Sequence, residues 1–474
     1  MRAILDQVVT VIIVTMMCFF SWTVQPLAKV PAPPQAINNG RLYQPHAVEK
    51  SSAGHYAPIC LSDTGSTASS LYLIIDVTPV DGNSYSRGYG LNNAAKIVGR
   101  TYNMDESDMV QDQRALVWDM HRGSQALDTL AGASGAWGIN NAGMACGYAT
   151  NADGDKRAVR WNLEDGSLVD LGSLANPSSG QSGSESYSYR GINDSQTVVG
   201  HADIPNDDDT FTPFHAFIYD DANGIRDLGT LYGDPDSYYM GGYSIAYDIN
   251  NSGTVVGIAH NADWLFRPFV WSEANGMNAL TIDSSREGGE WYAGVINDNG
   301  LIGGHVIDDG NDTVDYCYPY YWPTENNDPI ALEMPEIYPY GEIYGINANG
   351  QMVGGMFNDE DQDHAFIFDS TNGVVDLNAC INASGAWELQ TAVDINDLGQ
   401  ITGIGLIGGV KHAFLLTPAT DTNADADIDG GDLAQLAQDF ENTCNEGCSA
   451  DFNTDSVVDS DDLHLFSLAF GQAE

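Results

Sequence analysis

The sequence predicts an all-β protein: a seven-bladed β-propeller, followed by a small C-terminal module of two calcium loops, each running into a helix. Three observations lead there. A three-part phrase recurs seven times at a period close to fifty residues, an orphan strand-like segment precedes the first copy, and two acidic twelve-residue loops stand near the end. The chain has 474 residues, of which 51 are Gly and 43% are hydrophobic, enough apolar content to bury a core and enough Gly for many turns. Its 17 Lys plus Arg against 66 Asp plus Glu give a formal charge of −49. Such a surface repels phosphate, which excludes nucleic acid as a partner and argues against docking on anionic lipid.

Residues 1–28 read as a signal peptide. Arg2 precedes an apolar run from Val8 to Phe20 that is too short to cross a ~30 Å hydrocarbon core. An uncleaved anchor is the alternative this run leaves open. No second apolar stretch is long enough to span, so the expectation is an extracellular protein with no membrane span after signal removal. Residues 29–70 read as a polar linker.

Residues 71–418 carry the repeats. The first phrase is built on Asn92, Asn140, Asn193, Asn250, Asn297, Asn347 and Asn396, whose spacings are 48, 53, 57, 47, 50 and 49. Each copy resembles Asp248-Ile-Asn-Asn and leads into a short apolar run ending in Gly, such as Thr254-Val-Val-Gly257. The second phrase is Arg114-Ala-Leu-Val-Trp118 in the first copy and His215-Ala-Phe-Ile-Tyr219 in the third; the last copy is His412-Ala-Phe-Leu-Leu416. The third is clearest in Val169-Asp-Leu-Gly172, Arg226-Asp-Leu-Gly229 and Val375-Asp-Leu-Asn378. Asn, Asp and Gly tolerate positive φ, and the flanking Ile, Val, Phe, Trp and Tyr suit a pleated, half-buried surface. A unit of ~50 residues with four short strands is a propeller blade. The last copy lacks its third phrase, and Leu73-Ile-Ile-Asp-Val-Thr-Pro-Val80 resembles the missing piece. Closure of the seventh blade by this N-terminal segment would protect the sheet edges; an open solenoid is the rival architecture.

Together these phrases resemble the bacterial extracellular repeats of the HAF family, named for His-Ala-Phe. The resemblance implies an exported repeat protein and carries no established reaction. Only His215, His364 and His412 keep the family histidine, so a chemistry shared by all copies is not expected.

Residues 419–474 hold the calcium loops. Asp421, Asn423, Asp425, Asp429 and Asp432 fall at positions 1, 3, 5, 9 and 12 of one loop; Asp451, Asn453, Asp455, Asp459 and Asp462 repeat the pattern thirty residues later. Asp427 and Val457, at position 7, would lend backbone carbonyls. A hard cation takes six to eight oxygens, so two Ca2+ sites are expected. Each loop precedes an apolar helical pattern, Leu433, Leu436 and Phe440, then Leu463, Phe466 and Phe470. A duplicated loop with only its exiting helix resembles a dockerin module of type I-like form, which implies a cohesin-like protein partner. Ala426 and Ser456 replace the usual Gly at position 6, and Gly430-Gly431 and Ser460-Asp461 replace the Ser-Thr pair of many dockerins. Clustered carboxylates repel without metal, so folding of this module should require calcium.

Once Cys18 leaves with the signal, six cysteines remain: Cys60, Cys146, Cys317, Cys380, Cys444 and Cys448. Cys444 and Cys448 are close enough to staple one loop; the other four can pair in three ways or serve as small buried hydrophobes. Gly403-Ile-Gly405-Leu-Ile-Gly408 matches a dinucleotide fingerprint but has no helix after it to receive a phosphate. Ser134 and Ser384 sit in a repeated Ala-Ser-Gly-Ala-Trp and do not read as nucleophiles. The acidic stretches at Asp105–Asp108, Asp207–Asp209, Asp308–Asp312 and Asp359–Asp363 would share one propeller face as solvated tips or weak cation sites. Aromatic crowding in the fifth copy, from Trp291 to Tyr340, reads as packing first and as a sugar-contacting surface second.

The function these features imply is a secreted, non-enzymatic binding or scaffold protein. The propeller would be its recognition surface, with a polysaccharide as the candidate ligand, and the calcium-ordered module would attach it to a partner. The alternative is a polysaccharide-active enzyme of glycoside hydrolase or lyase type, or a carbohydrate-binding component of an extracellular assembly. No catalytic residue or organic cofactor is identified.

Overall fold

A computed structural model of the chain describes residues 72–440 except 106, 108, 175–183, 186–190, 205–213, 233–241, 309–315, 361, 382–386 and 419–429, together with residues 450 and 458. The signal and linker segments, both calcium loops but for Gly430–Asp432 and Val458, Cys60, Cys444, Cys448, Ser384 and the 207–209 acidic stretch lie outside the described residues. So do parts of the other acidic stretches.

Each repeat becomes one four-stranded antiparallel sheet. In the fourth blade the strands are Ser244–Ile249, Val255–His260, Phe266–Ser272 and Gly276–Ala279. The Asn-Asn-x-Gly phrase is the first hairpin, the aromatic phrase is the third strand, and the Asp-containing phrase belongs to the outer edge. Seven such sheets form. The seventh takes its outer strand from the other end of the chain: Tyr72–Val77 pairs antiparallel with Val410–Pro418, with Ile74 opposite Leu416 and Asp76 opposite Phe414. The orphan segment thus supplies the missing edge, and the ring closes as the repeat count required.

Backbone geometry explains the Val-Val-Gly ending. The inner strand of the fourth blade carries a bulge between Ala246 and Asp248, and the same irregularity recurs between Gly88 and Gly90, Ala136 and Gly138, Ala293 and Val295, and Ile343 and Gly345. On the facing strand, a Cβ built on Gly257 would lie 2.0 Å from the Ile245 carbonyl, and one on Gly403 would lie 2.0 Å from that of Thr391. Only Gly fits such an approach. Gly403 and Gly405 therefore sit within a strand, Ile401–Ile407, as packing residues.

The sheets pack face to face, and each apolar cluster straddles two blades. Val199 and Ile218 of the third blade, for example, pack with Ile249, Phe269 and Trp271 of the fourth. Blade-five aromatics join this packing: Trp291 and Trp322 are fully buried, and Trp291 lies 4.8 Å from Tyr320. Cys146, Cys317 and Cys380 are buried thiols in separate repeats, so the small-hydrophobe alternative is the one realised for these three. The α-helix Gly430–Asp439 follows the first acidic loop, and its Leu436 is 1% exposed.

Candidate functional site

The recurring polar residues are used to build the ring. Asn92 Nδ2 donates to the main-chain oxygen of Asn140 at 3.2 Å, Asn140 to that of Asn193 at 2.8 Å, and Asn193 to that of Asn250 at 3.1 Å. Asn250 continues to Asn297 at 3.2 Å, Asn297 to Asn347 at 3.0 Å, and Asn347 to Asn396 at 3.1 Å. Asn396 then donates back to Asn92 at 3.1 Å, sealing a circle of seven bonds. Each Asn Oδ1 also accepts the backbone N–H four residues on, as from Thr254 and Leu301, which fixes the hairpin. Outside this circle the next residues form a second one, in which Asn141 Oδ1 accepts from Asn93 N and Asp397 Oδ1 from Ala348 N. It is interrupted where Ala348 offers no side-chain acceptor.

Other recurring groups stitch neighbouring blades or strands. Asp394 accepts from Leu91 N of the first blade, and Asp248 from Ile296 N of the fifth. Ser134 Oγ accepts from Ala115 N, and Ser86 and Ser244 do the same for Ala413 N and Ala216 N. Ser134 is thus a buried structural hydroxyl. The three family histidines each face the Asp of the third phrase: His215 Nδ1 lies 2.9 Å from Asp227, His364 Nδ1 2.6 Å from Asp376, and His412 Nδ1 2.8 Å from Asp76 of the closing strand. Arg157 stands in for histidine in the second blade and meets Asp170 at 3.3 Å. In these four blades the second and third phrases are therefore two halves of one interstrand contact.

Symmetry breaks toward the other end of the same inner strands. Five residues before each ring Asn stand Arg87, Gly135, Ile245, Tyr292, Glu342 and Thr391; three before stand Tyr89, Trp137, Tyr247, Gly294, Tyr344 and Val393 (the third blade's equivalents lie outside the described residues). On one side the result is aromatic and cationic. Tyr89 and Trp137 lie 4.4 Å apart, and the Arg100 guanidinium is 5.8 Å from the Tyr89 ring centroid.

On the other side it is aromatic and acidic. Glu342 is 3% exposed; its Oε2 accepts from the Tyr344 hydroxyl at 2.6 Å, while its Oε1 meets no protein donor. Tyr292 stacks on His305 with centroids 4.7 Å apart and donates to Glu290 at 3.3 Å. The Tyr247 ring lies 6.4 Å from that of Tyr292. The Tyr247 hydroxyl and His305 Nδ1 are likewise enclosed without a protein partner. Burial, with Glu342 and Glu290 adding, pushes the Tyr247 hydroxyl far above its ordinary range, so it stays a donor. Burial pushes His305 down, with Glu342 opposing, so its imidazole is neutral at neutral pH. A buried carboxylate, a fixed donor and a neutral imidazole beside aromatic faces can hydrogen-bond a hydroxylated ligand without demanding charge from it.

None of these three was singled out by motif. For Glu342 the signal was positional: aligning the repeats on the ring Asn exposes it as a departure, whereas Tyr247 shares its position with Tyr89 and Tyr344. Of the expected calcium ligands, Asp432 lies in the helix Gly430–Asp439 with its side chain outside the described residues, and the other eleven lie wholly outside them. Among the described residues no group of three His, Cys, Asp or Glu side chains gathers as a metal site.

Residues 61–232 match the family model described as "Protein of unknown function (DUF3466)". No curated protein matches the chain. Among solved structures the chain is similar to the β-propeller domain of the trilobed protease from Pyrococcus furiosus, at 10% identity over 71% of this chain and 93% of that one, with a TM-score of 0.44. It is similar to an oligogalacturonate lyase in complex with manganese, at 15% identity over 75% and 96% of the two chains, with a TM-score of 0.47. The lectin of Aleuria aurantia gives 12% identity over 64% and 99%, with a TM-score of 0.36. At these identities the likeness is one of fold alone, and the family described as DUF3466 is matched over the first part of the repeat region.

Proposed function

We propose that this chain is an exported, non-enzymatic binding protein whose propeller recognises a polysaccharide. Its repeats are of the HAF type, and its tail is a dockerin-like module that two Ca2+ ions order for attachment to a cohesin-like partner. The observation that carries the recognition reading is the axial group of Tyr247, His305 and Glu342. An enclosed polar atom without a protein partner costs about 1–3 kcal/mol, and three of them, Tyr247 and Glu342 on inner strands and His305 on the second strand Ile302–Asp308, support a ligand there. Support for the tail reading is the donor set at Asp421, Asn423, Asp425, Asp429 and Asp432 and its repetition at Asp451 onward, with a helix, Gly430–Asp439, starting at the end of the first loop. A glycan array probed with the whole chain, together with calorimetric titration of Ca2+, tests both halves. Retention of a glycan class that weakens in Glu342→Gln, and a heat fitting two sites, are expected. An empty array and a flat titration would remove the proposal.

One observation favours a polysaccharide-active enzyme instead: Glu290 and Glu342, from neighbouring inner strands, both bear on Tyr247. Two carboxylates near one sugar are what glycoside cleavage requires. Release of new reducing ends from the retained glycan, abolished by Glu342→Gln, would select that reading.

A further inference from the structure

We propose that the cleft between blades three and four binds one neutral pyranose unit of a glycan. This rests on the reading of the propeller as a carbohydrate-binding protein and gives it a second, separate site. The cleft has a volume of about 310 Å3 and opens to solvent between the Asn-ring hairpins of the two blades; Ile218, Asp220, Arg226, Ile249, Trp271 and Glu273 line it. Ligand pockets run from ~300 to ~1,000 Å3, so this one suits a single ring.

The neighbouring seam, between blades two and three, shows why this one is open. There Arg160, on the third strand and 5% exposed, fills the equivalent space. Its guanidinium bonds Asp221 of the next blade at 2.9 and 3.0 Å and the Gln196 carbonyl at 3.0 Å, and lies 5.9 Å from the Tyr219 ring. One blade on, Ile218 takes the place of Arg160, Trp271 that of Tyr219, and Glu273 that of Asp221. The plug is gone, and the arginine comes from the outer strand. Arg226 Nη1 meets the Glu273 carboxylate at 2.9 and 3.1 Å, and Nη2 meets Asp220 at 3.4 Å, while Nε has no protein acceptor. Trp161 and Trp322, at the same position as Trp271, donate their indole N–H to the Asp128 and Thr281 carbonyls at 2.7 and 2.8 Å; Trp271 makes no such bond.

The chemistry selects the ligand. Arg226 would repel a cation, and Asp220 with Glu273 would repel an anion. A rim of matched donors and acceptors suits vicinal hydroxyls, which donate to carboxylate and accept from guanidinium at once. Ile218, Ile249 and Trp271 offer an apolar floor for the C–H face of the ring.

The test titrates the full chain with methyl glycosides of glucose, galactose and mannose, followed by saturation-transfer NMR and calorimetry. Ile218→Arg reinstates the plug, and Glu273→Ala removes a side chain that is 73% exposed and so spares the fold. At least one glycoside should bind, and each variant should weaken it by about tenfold or more, Glu273→Ala with an unchanged melting temperature. Undiminished binding in Glu273→Ala and in folded Ile218→Arg would overturn the cleft while leaving a binding propeller. Loss confined to Glu342→Gln would place the sugar at the axis and equally overturn it. If wild type binds no glycoside and no arrayed glycan, both proposals fall.

Discussion

At the hairpin end of the propeller axis all seven repeats present the same Asn, and the seven amides hand one hydrogen bond to the next until the circle closes. Five residues earlier on the same strands, among the described residues, stand an arginine, a glycine, an isoleucine, a tyrosine, a glutamate and a threonine. Both sets come from the inner strands of one fold, so neither burial nor strand propensity accounts for the difference. The contrast separates two uses of a residue. Groups repeated by symmetry satisfy each other and hold the blades together; among the groups that break it is Glu342, where the proposed ligand would be met. Between the seams the departure is itself structural: Arg160 replaces the apolar residue found at Val117, Ile218 and Val270 and bonds the next blade.

The largest effect should come from the closing strand. Deleting residues 72–77 strips the six-residue ladder from Val410–Pro418 and takes Asp76 from His412. The truncated chain should lose its cooperative urea transition by circular dichroism; a transition within a few degrees or tenths molar of wild type would show that the ring does not depend on its clasp.

Within the ring, Asn297→Ala removes the bond to Asn347 and strands the N–H groups of Asn299 and Leu301, both at 3.0 Å from Oδ1. A loss of about 2–4 kcal/mol is expected from urea denaturation. A loss below ~0.5 kcal/mol would mean that the amide circle is ornamental.

A smaller effect should appear with pH. His260 is 3% exposed and burial pushes it down to about 4, while His201 is held at about 3. The unfolded chain takes up these protons near pH 6.5 and the folded chain does not. Their contribution is therefore complete above ~6.5 and is lost as the pH falls toward 4, at up to about 1.4 kcal/mol per unit for each group. Between pH 6.5 and 5.5, His260→Phe should remove about 1 kcal/mol of that decline; an unchanged slope would show that His260 titrates normally in the folded protein.

The smallest effect should be a gain. Gln196 holds φ at 64°, where the equivalent turn residues of other blades are Gly253, Gly300 and Gly350. Gln196→Gly should stabilise the protein by about 1 kcal/mol, read as a rise in melting temperature, because the left-handed conformation strains a side chain.

Much of this architecture was legible in the sequence. Three ordered phrases with a period near fifty fixed the blade, and the mismatch between an orphan Leu73–Val80 and a truncated last copy pointed to closure, because a strand edge must be paired. The reason for each phrase was not legible, since it lies between residues far apart in the chain. Asn396 meets Asn92 and His412 meets Asp76 only once the ring is built. The axial group was hidden for the opposite reason. Glu342, Tyr247 and His305 match no motif, and a buried carboxylate resembles any other Glu until its neighbours are known.

The comparison between the two ends of the inner strands is tested most directly by the urea midpoints of Asn297→Ala and Glu342→Gln measured side by side. Asn297→Ala should fall well below wild type, whereas Glu342→Gln, which replaces a group with an enclosed oxygen that has no protein partner, should stay level with it or rise. A Glu342→Gln variant as unstable as Asn297→Ala would contradict the account, for it would make Glu342 a structural member of the ring rather than a group held in readiness for a ligand.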